Sequence, residues 1–268
     1  MNFNSKYELL NTILESRKGS VSVARNLTDS NKSYKTVIIK SINKSSISYF
    51  IGQGNQFIPR ELHFLNLIND PRMCPKVLEH FESDEYFHVV MEHLENNWCD
   101  LYTYTCKKRS ERRLKRIFRN IIKCLNKLCY LDLYYLDLKP ENIMVNRKTS
   151  EVKLIDFEDV EYFPNEECPI SDLKLGTAGY CAPEIMFEEY YLIKKSQIYT
   201  VGTTLFSCIE NEYLYIVDED KQELKMTRFR KCSPLARDLI EKCTNPIPNL
   251  RIELDNILKH EWFNCNHS

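Results

Sequence analysis

Tyr135-Leu136-Asp137-Leu138-Lys139-Pro140-Glu141-Asn142 is the stretch whose reading decides the fold. It brings a carboxylate, an ammonium and a carboxamide onto one predicted loop. Asp137 and Asn142 lie five apart, so one backbone turn can aim a base at a hydroxyl and an amide oxygen at a metal. Leu154-Ile155-Asp156-Phe157 follows, then Gly176-Thr177-Ala178-Gly179-Tyr180-Cys181-Ala182-Pro183-Glu184. Asp156 supplies a carboxylate, the hard oxygen ligand that magnesium takes. An isolated Asp-Phe carries no information; three such stretches in this order and spacing do. The bland alternative is a polar loop on an α/β scaffold.

The bulk of the chain is compatible with that chemistry. At 268 residues it can bury a real core and divide into two lobes. Apolar residues make up 43% and charged residues 28%, as in ordinary globular proteins. The formal net charge of -1 gives no global pull toward nucleic acid or membrane. No apolar run approaches the length of a transmembrane span. Met1-Asn2-Phe3-Asn4-Ser5-Lys6 lacks the apolar core of a signal peptide. Eleven cysteines, an odd count without Cys-x-x-Cys spacing, read as reduced thiols in cytosol or nucleus.

The first part reads as strands with one helix. Val21–Ala24 and Thr36–Ile42 are β-rich runs, with Asp29–Ser33 as the hairpin between them. Pro59–Ile68 has helical spacing, with Pro59 suited to the first turn. Strands are expected near Val77–Glu82 and Tyr86–Glu92. From about Asp100 the pattern turns helical, over Leu114–Tyr130, Gln197–Ile209, Leu235–Cys243 and Leu254–Trp262. There is no internal repeat and no low-complexity linker.

Taken in order, the three quoted stretches resemble the catalytic loop, metal-binding loop and substrate-loop anchor of a eukaryotic protein kinase. The resemblance covers nearly the whole chain. It implies an α+β, bilobal fold in a single domain spanning 1–268. The small β-rich N-lobe would cover about residues 1–94 and the helical C-lobe about 95–268. It implies ATP and Mg2+ as cofactors. Asp137 would accept the substrate hydroxyl proton, Lys139 would contact the γ-phosphate, and Asn142 and Asp156 would hold magnesium. Lys40, ending a strand of the Val-Ala-Ile-Lys type, would pair with the α- and β-phosphates and with Glu61. Gly19, Val21 and Met144 are matched to nucleotide contacts. Met91 would be the gatekeeper, the backbone around Glu92 and Leu94 would bond adenine, and Asp100 would lie near the ribose. Lys139 and Thr177 fit the serine/threonine branch, where the threonine links the substrate loop to the catalytic aspartate. Glu184 would form a buried pair with Arg251, and Leu258–Phe263 resembles the last helix. The Pro-x-Glu approach to Glu61 resembles the Pim kinases, which favour basic peptides.

The chain departs from the family at several positions. The phosphate loop reads Leu14-Glu15-Ser16-Arg17-Lys18-Gly19-Ser20-Val21, with only the third glycine present. Leu14 and Ser16 should weaken a backbone cradle for phosphate, with Lys18 adding charge in compensation. Ile38 stands where the family has alanine and should narrow the adenine slot. Glu158 replaces the glycine of Asp-Phe-Gly and brings a third acid near Asp156 and Asp159. Leu136 replaces the arginine that gathers loop phosphate, Tyr135 replaces histidine, and Gln197 replaces a backbone-capping aspartate. Its amide oxygen can still accept N–H bonds, without charge assistance.

Two charge patches complete the reading. Lys107–Arg116 is basic, an import signal or anionic docking surface against the plainer reading of a solvated helix start. Asp156, Glu158, Asp159, Glu161, Glu166, Glu167 and Asp172, together with Glu141, would attract basic peptides. The expected function is therefore a protein serine/threonine kinase acting on basic protein substrates, in cytoplasm or nucleus. Neither nucleic-acid nor membrane binding is expected. Its rival is a pseudokinase scaffold, which the eroded glycine loop, Ile38 and Glu158 favour. The full set Lys40, Glu61, Asp137, Asn142 and Asp156 opposes it. A small-molecule kinase is a third option, opposed by Gly176–Glu184. Minimal length and scattered motif erosion resemble reduced kinases of large DNA viruses or intracellular parasites.

Overall fold

The computed structural model describes residues 3–28, 34–46, 50–53, 56–106, 110–164, 170–171, 175–187, 190–218 and 223–265. The chain forms two compact units. Met1–Asn97 with Lys153–Glu158 make the first, and Trp98–Val152 with Asp159–Ser268 the second.

The first unit is built on a five-stranded antiparallel sheet. Its strands are β1 (Tyr7–Ser16), β2 (Gly19–Asn26), β3 (Thr36–Asn43), β4 (Val77–Glu82) and β5 (Tyr86–Glu92), in the order β1-β2-β3-β5-β4. Register sorts their side chains. Val21 pairs with Lys40, and Val23 with Ile38, which in turn faces Met91. Strand partners share a face, so Val21, Val23, Ile38, Lys40 and Met91 collect on one side. The alternate residues Ala24, Val37, Ile39 and Val90, with Tyr7, form a fully buried core. The Asp29–Ser33 hairpin lies outside the described residues.

Strand β1 is absent from the expectations above, and the register explains why. Shifts between Leu9 and Asn11 and between Thr12 and Leu14 insert irregularities into its pairing with β2. Each breaks the period-2 pattern by which a strand is recognised. Leu9, Leu10, Ile13 and Leu14 are left exposed.

Helix α1 (Arg60–Ile68) follows a short hairpin, Phe50–Gln53 with Gln56–Pro59. Pro59 is the extended N-cap residue at the end of that hairpin, not part of the first turn. Its φ of -53° suits the junction, and it lacks an N–H that either element would need. The buried side of α1 carries Glu61, Leu62, Phe64, Leu65 and Ile68.

The second unit is mainly helical. Its elements, in chain order, begin with β6 (Trp98–Asp100), α2 (Leu101–Thr105), α3 (Glu111–Cys129), β7 (Leu133–Tyr135) and β8 (Ile143–Asn146). After the strand β9 (Val152–Leu154), whose last two residues belong to the first unit, come β10 (Val160–Tyr162), α4 (Pro183–Phe187) and α5 (Ile193–Glu210). The remaining helices are α6 (Pro234–Cys243), α7 (Leu254–Ile257) and α8 (Glu261–Asn264). Helix α3 buries Leu114, Ile117, Phe118, Ile121, Ile122, Leu125 and Leu128 at three- and four-residue steps. Helix α5 is buried on nearly every side, polar residues included.

The helix expected over Leu254–Trp262 is two short helices. The chain turns at Leu258–His260, where the His260 ring accepts the Trp262 N–H at 3.2 Å. Of the described basic residues of the run, Arg112, Arg113 and Arg116 are exposed, and two of the four are tied to neighbouring structure. Arg113 reaches the Tyr104 hydroxyl, Lys115 the Cys265 carbonyl at 2.9 Å and, beyond the run, Arg119 the Phe263 carbonyl at 3.0 Å. Lys107, Lys108 and Arg109 lie outside the described residues. Among the described residues no helix is long and apolar enough to cross a membrane.

Candidate active site

In the first unit, the alternation of β3 sends Lys40 to the face opposite the core. Its ammonium lies 2.6 Å from Glu61 Oε2 and 3.0 Å from Asp156 Oδ1. Burial alone would lower the Lys40 pKa; the charge of Glu61 and then that of Asp156 outweigh it, and the net shift is upward. Lys40 is thus an ammonium held between two carboxylates. Glu61 also accepts the Phe157 N–H at 3.4 Å, and the Phe157 ring is completely buried. Asp156 has φ +64°, a left-handed conformation that aspartate tolerates better than most residues.

Met91 is buried opposite Ile38, and Val21 stands beside Lys40 in the register. Glu92 gives its N–H to the Lys76 carbonyl, while its carboxylate takes the Lys76 N–H at 2.9 Å and pairs with the buried Lys153. Leu94 follows β5 and is half-buried.

Gly19 opens β2 with φ +143°, and a Cβ there would stand 1.9 Å from the Ser41 carbonyl oxygen. The strand-to-strand approach therefore requires glycine. Glu158 does not join a metal-binding cluster: its carboxylate pairs with Lys18 at 2.7 Å, and both groups are exposed. Among the described residues, no group of three or more His, Cys, Asp or Glu side chains is arranged to hold a metal.

The second unit gathers the other set around Asp137. The Asp137 carboxylate accepts from the Thr177 hydroxyl at 2.6 Å, Lys139 Nζ at 2.7 Å and Asn142 Nδ2 at 2.8 Å. Lys139 also reaches the Thr177 hydroxyl oxygen at 2.6 Å. Asn142 Nδ2 bonds the Asp137 carbonyl as well, at 3.0 Å, which leaves Oδ1 as the acceptor end of that amide. Gly176, at φ +90°, allows the approach of Thr177: a Cβ there would meet the Leu136 carbonyl at 3.0 Å. Asp159 holds the Gly176 N–H at 3.3 Å.

Helix α5 supports this loop from below. Gln197 Oε1 accepts the buried Tyr135 N–H at 2.7 Å, the bond expected of its amide oxygen. Thr204 donates to the Leu138 carbonyl at 2.9 Å. Thr204 had no motif to announce it; the only hint was a polar residue inside an apolar helix. Leu136 is buried with Tyr134, Cys181, Ala182, Ile185 and Tyr191, so it packs directly on the anchor segment. Arg251 and Glu184 form a bidentate pair, 2.5 and 2.8 Å, with both side chains at most 2% exposed. Ser196 and the carbonyls of Lys195 and Asn245 complete their bonding.

Two members of the sequence-derived set are less directly engaged. Asp100 caps α2, one carboxylate oxygen on the Thr103 N–H and the other on its hydroxyl, each at 2.7 Å. Met144 is half-buried in β8, opposite Asp100. Of the acidic patch, Glu166, Glu167 and Asp172 lie outside the described residues.

Residues 15–263 match the family model described as the protein kinase domain. Serine/threonine-protein kinase ppk6 of Schizosaccharomyces pombe is 30% identical over 242 residues, covering 87% of this chain and 30% of that protein. The carbon catabolite-derepressing protein kinase of Candida glabrata is 26% identical, over 96% of this chain and 41% of that protein. CBL-interacting protein kinase 5 of Oryza sativa is 28% identical, over 97% and 56%. The chain spans about a third to a half of the length of such relatives.

Proposed function

The chain belongs to the protein kinase domain family, and we propose that it transfers the γ-phosphoryl group of ATP to serine or threonine hydroxyls of protein substrates. The observation that carries this reading is the Asp137 carboxylate, oriented by Lys139, Asn142 and Thr177. A carboxylate with this many fixed donors keeps one direction, and acceptor sites remain on its oxygens for a substrate proton. Lys139, two residues on, is in reach of the same hydroxyl and brings positive charge to the group in transfer. Lys40, held by Glu61, orients the α- and β-phosphates of the nucleotide.

Asp156 and Asn142 offer the hard oxygen atoms that Mg2+ takes, Asn142 through Oδ1 because its Nδ2 bonds Asp137. Magnesium, when bound, neutralises charge on the transferring phosphate. Val21, Ile38 and Met91 line one sheet face with Lys40 and form the apolar side of the nucleotide contact, with Gly19, Glu92, Leu94, Asp100 and Met144 as further contacts. Exposed Glu141 supports a preference for basic substrates; Glu158 contributes less, since Lys18 already neutralises it. The Leu136 packing and the Glu184–Arg251 pair order the anchor segment without a phosphate.

The test is the purified chain, shown by mass to carry no phosphate, with magnesium, labelled ATP and a panel of basic and acidic proteins. Label on serine or threonine that is lost in Asp137→Asn supports the reading. Equal label in both sinks it. ATP binding without transfer identifies the scaffold alternative.

A further inference from the structure

Two places where the chain departs from the family pattern touch each other. Lys18 stands at the two-residue tip between β1 and β2, next to Gly19, the one glycine of the family pattern that is kept. Glu158 takes the glycine place of the metal loop. They lie 140 positions apart in sequence, yet Lys18 Nζ is 2.7 Å from Glu158 Oε1. Both belong to the first unit, and Glu158 is two residues beyond Asp156, whose carboxylate holds Lys40.

The tip is held in place by its backbone. The Lys18 carbonyl accepts the Asn43 N–H at 2.8 Å, and the Arg17 carbonyl accepts from Ser46 at 3.3 Å. Ser16, at a lost glycine, takes the Lys18 N–H on its hydroxyl at 3.2 Å. That donor is therefore engaged inside the turn, where a glycine loop would leave it for phosphate. Two cations stand at the tip, Arg17 and Lys18, and Lys18 is the one whose side chain reaches the segment next to Asp156. An exposed ion pair adds little to stability, so the pairing with Glu158 matters chiefly for where it leaves the ammonium: beside the loop that carries Asp156.

We infer that Lys18 is a phosphate contact for the nucleotide, replacing the lost loop glycines, and that Glu158 is the anion it leaves when the nucleotide binds. The inference rests on the ATP reading above. Polyphosphate carries more charge than one carboxylate and offers several strong acceptors, so the ammonium exchanges Glu158 for phosphate oxygen. Glu158 is then a positioning residue that competes with the ligand.

Calorimetric titration of the whole chain with Mg-ATP and with adenosine tests this, beside melting curves for each variant. Lys18→Met should weaken Mg-ATP binding on the order of tenfold, the loss of one charge-assisted contact, and leave adenosine unchanged. Glu158→Gln should tighten Mg-ATP binding, by roughly two- to fivefold, because the competitor is gone. The inference is overturned if Lys18→Met binds Mg-ATP as the parent does, or loses ATP and adenosine alike. It is equally overturned if Glu158→Gln weakens ATP as Lys18→Met does, which would make the pair a structural clasp. A parent chain that binds no nucleotide sinks both this inference and the kinase reading. Mg-ATP binding without phosphotransfer sinks only the latter, and transfer with an indifferent Lys18→Met sinks only the former.

Discussion

The turn between β1 and β2 and the loop from Tyr135 to Asn142 face opposite demands and are built in opposite ways. The turn is exposed, its glycines mostly replaced, and Lys18 reaches a distant segment through its pair with Glu158. Apart from exposed Glu141 and partly exposed Lys139, the Tyr135–Asn142 loop is buried, and its residues interlock: Asp137 with three donors, Tyr135 on Gln197, Leu138 on Thr204, Leu136 in an apolar cluster. Each member of the interlocked loop is constrained by several others, so single changes there disturb the whole. In the turn, each residue meets few neighbours, and change is tolerated as long as the backbone path survives. The family pattern is eroded in both places, at Leu14 and Ser16 in the turn and at Tyr135 and Leu136 in the loop, but in the loop the replacements are themselves built into the packing, Tyr135 through its N–H on Gln197 and Leu136 in the apolar cluster.

That contrast is sharpest in its largest expected effect. Asp137→Asn should lower the phosphotransfer rate by about two to four orders of magnitude, the range for removal of a positioned acid–base group. Its melting temperature should fall modestly: the amide fits the space, but it puts an N–H donor where an oxygen accepts from Thr177 or from Lys139 and Asn142. A rate within a few-fold of the parent in a steady-state assay would break the comparison at its strongest point.

Second in size is a purely structural effect in the same unit. Glu184→Gln leaves Arg251 buried without its counter-charge, which costs on the order of 3 kcal/mol. Denaturant unfolding should report that loss. Glu184→Met with Arg251→Met should recover much of it, since the pair is replaced by apolar groups of similar bulk. Equal stability of Glu184→Gln and parent would mean that the bidentate pair does not hold the anchor.

The one indispensable position of the turn comes next. Gly19→Ala sets a Cβ against the Ser41 carbonyl at an unfavourable φ, and strain of this kind costs about 1–3 kcal/mol. Leu14→Gly and Ser16→Gly, at exposed positions, should change unfolding little. If all three behave alike, the turn is not divided into one required glycine and two dispensable ones. Smallest is Ile38→Ala, which opens the sheet face shared with Lys40 and Met91. Calorimetry should register Mg-ATP binding a few-fold tighter, within about 1 kcal/mol. Weaker binding would mean that Ile38 packs on the ring and does not crowd it.

Much of the molecule was legible because its chemistry is local. Asp137, Lys139 and Asn142 lie on one loop, so their spacing already implied their meeting. Lys40 with Glu61, and Glu184 with Arg251, were legible through resemblance, and both pairs form. Helices α1, α3, α5 and α6 followed from apolar periodicity. Strand β1 did not, since its two register shifts erase alternation. Leu254–Trp262 kept helical spacing across a turn that His260 caps, because spacing alone does not record where a backbone bond is broken.

The sequence by itself determined which groups this protein has for chemistry: the order of its three motifs and the residues lost from the family pattern. The tertiary structure alone decided how those groups are held. Strand register put Val21, Ile38, Lys40 and Met91 on one face, the packing of α5 set Thr204 under Leu138, and the fold brought Lys18 to Glu158. Periodicity is carried by neighbours in the chain and can be read along it. Contacts between distant segments depend on the path of the backbone through the whole unit, and no local pattern encodes that path.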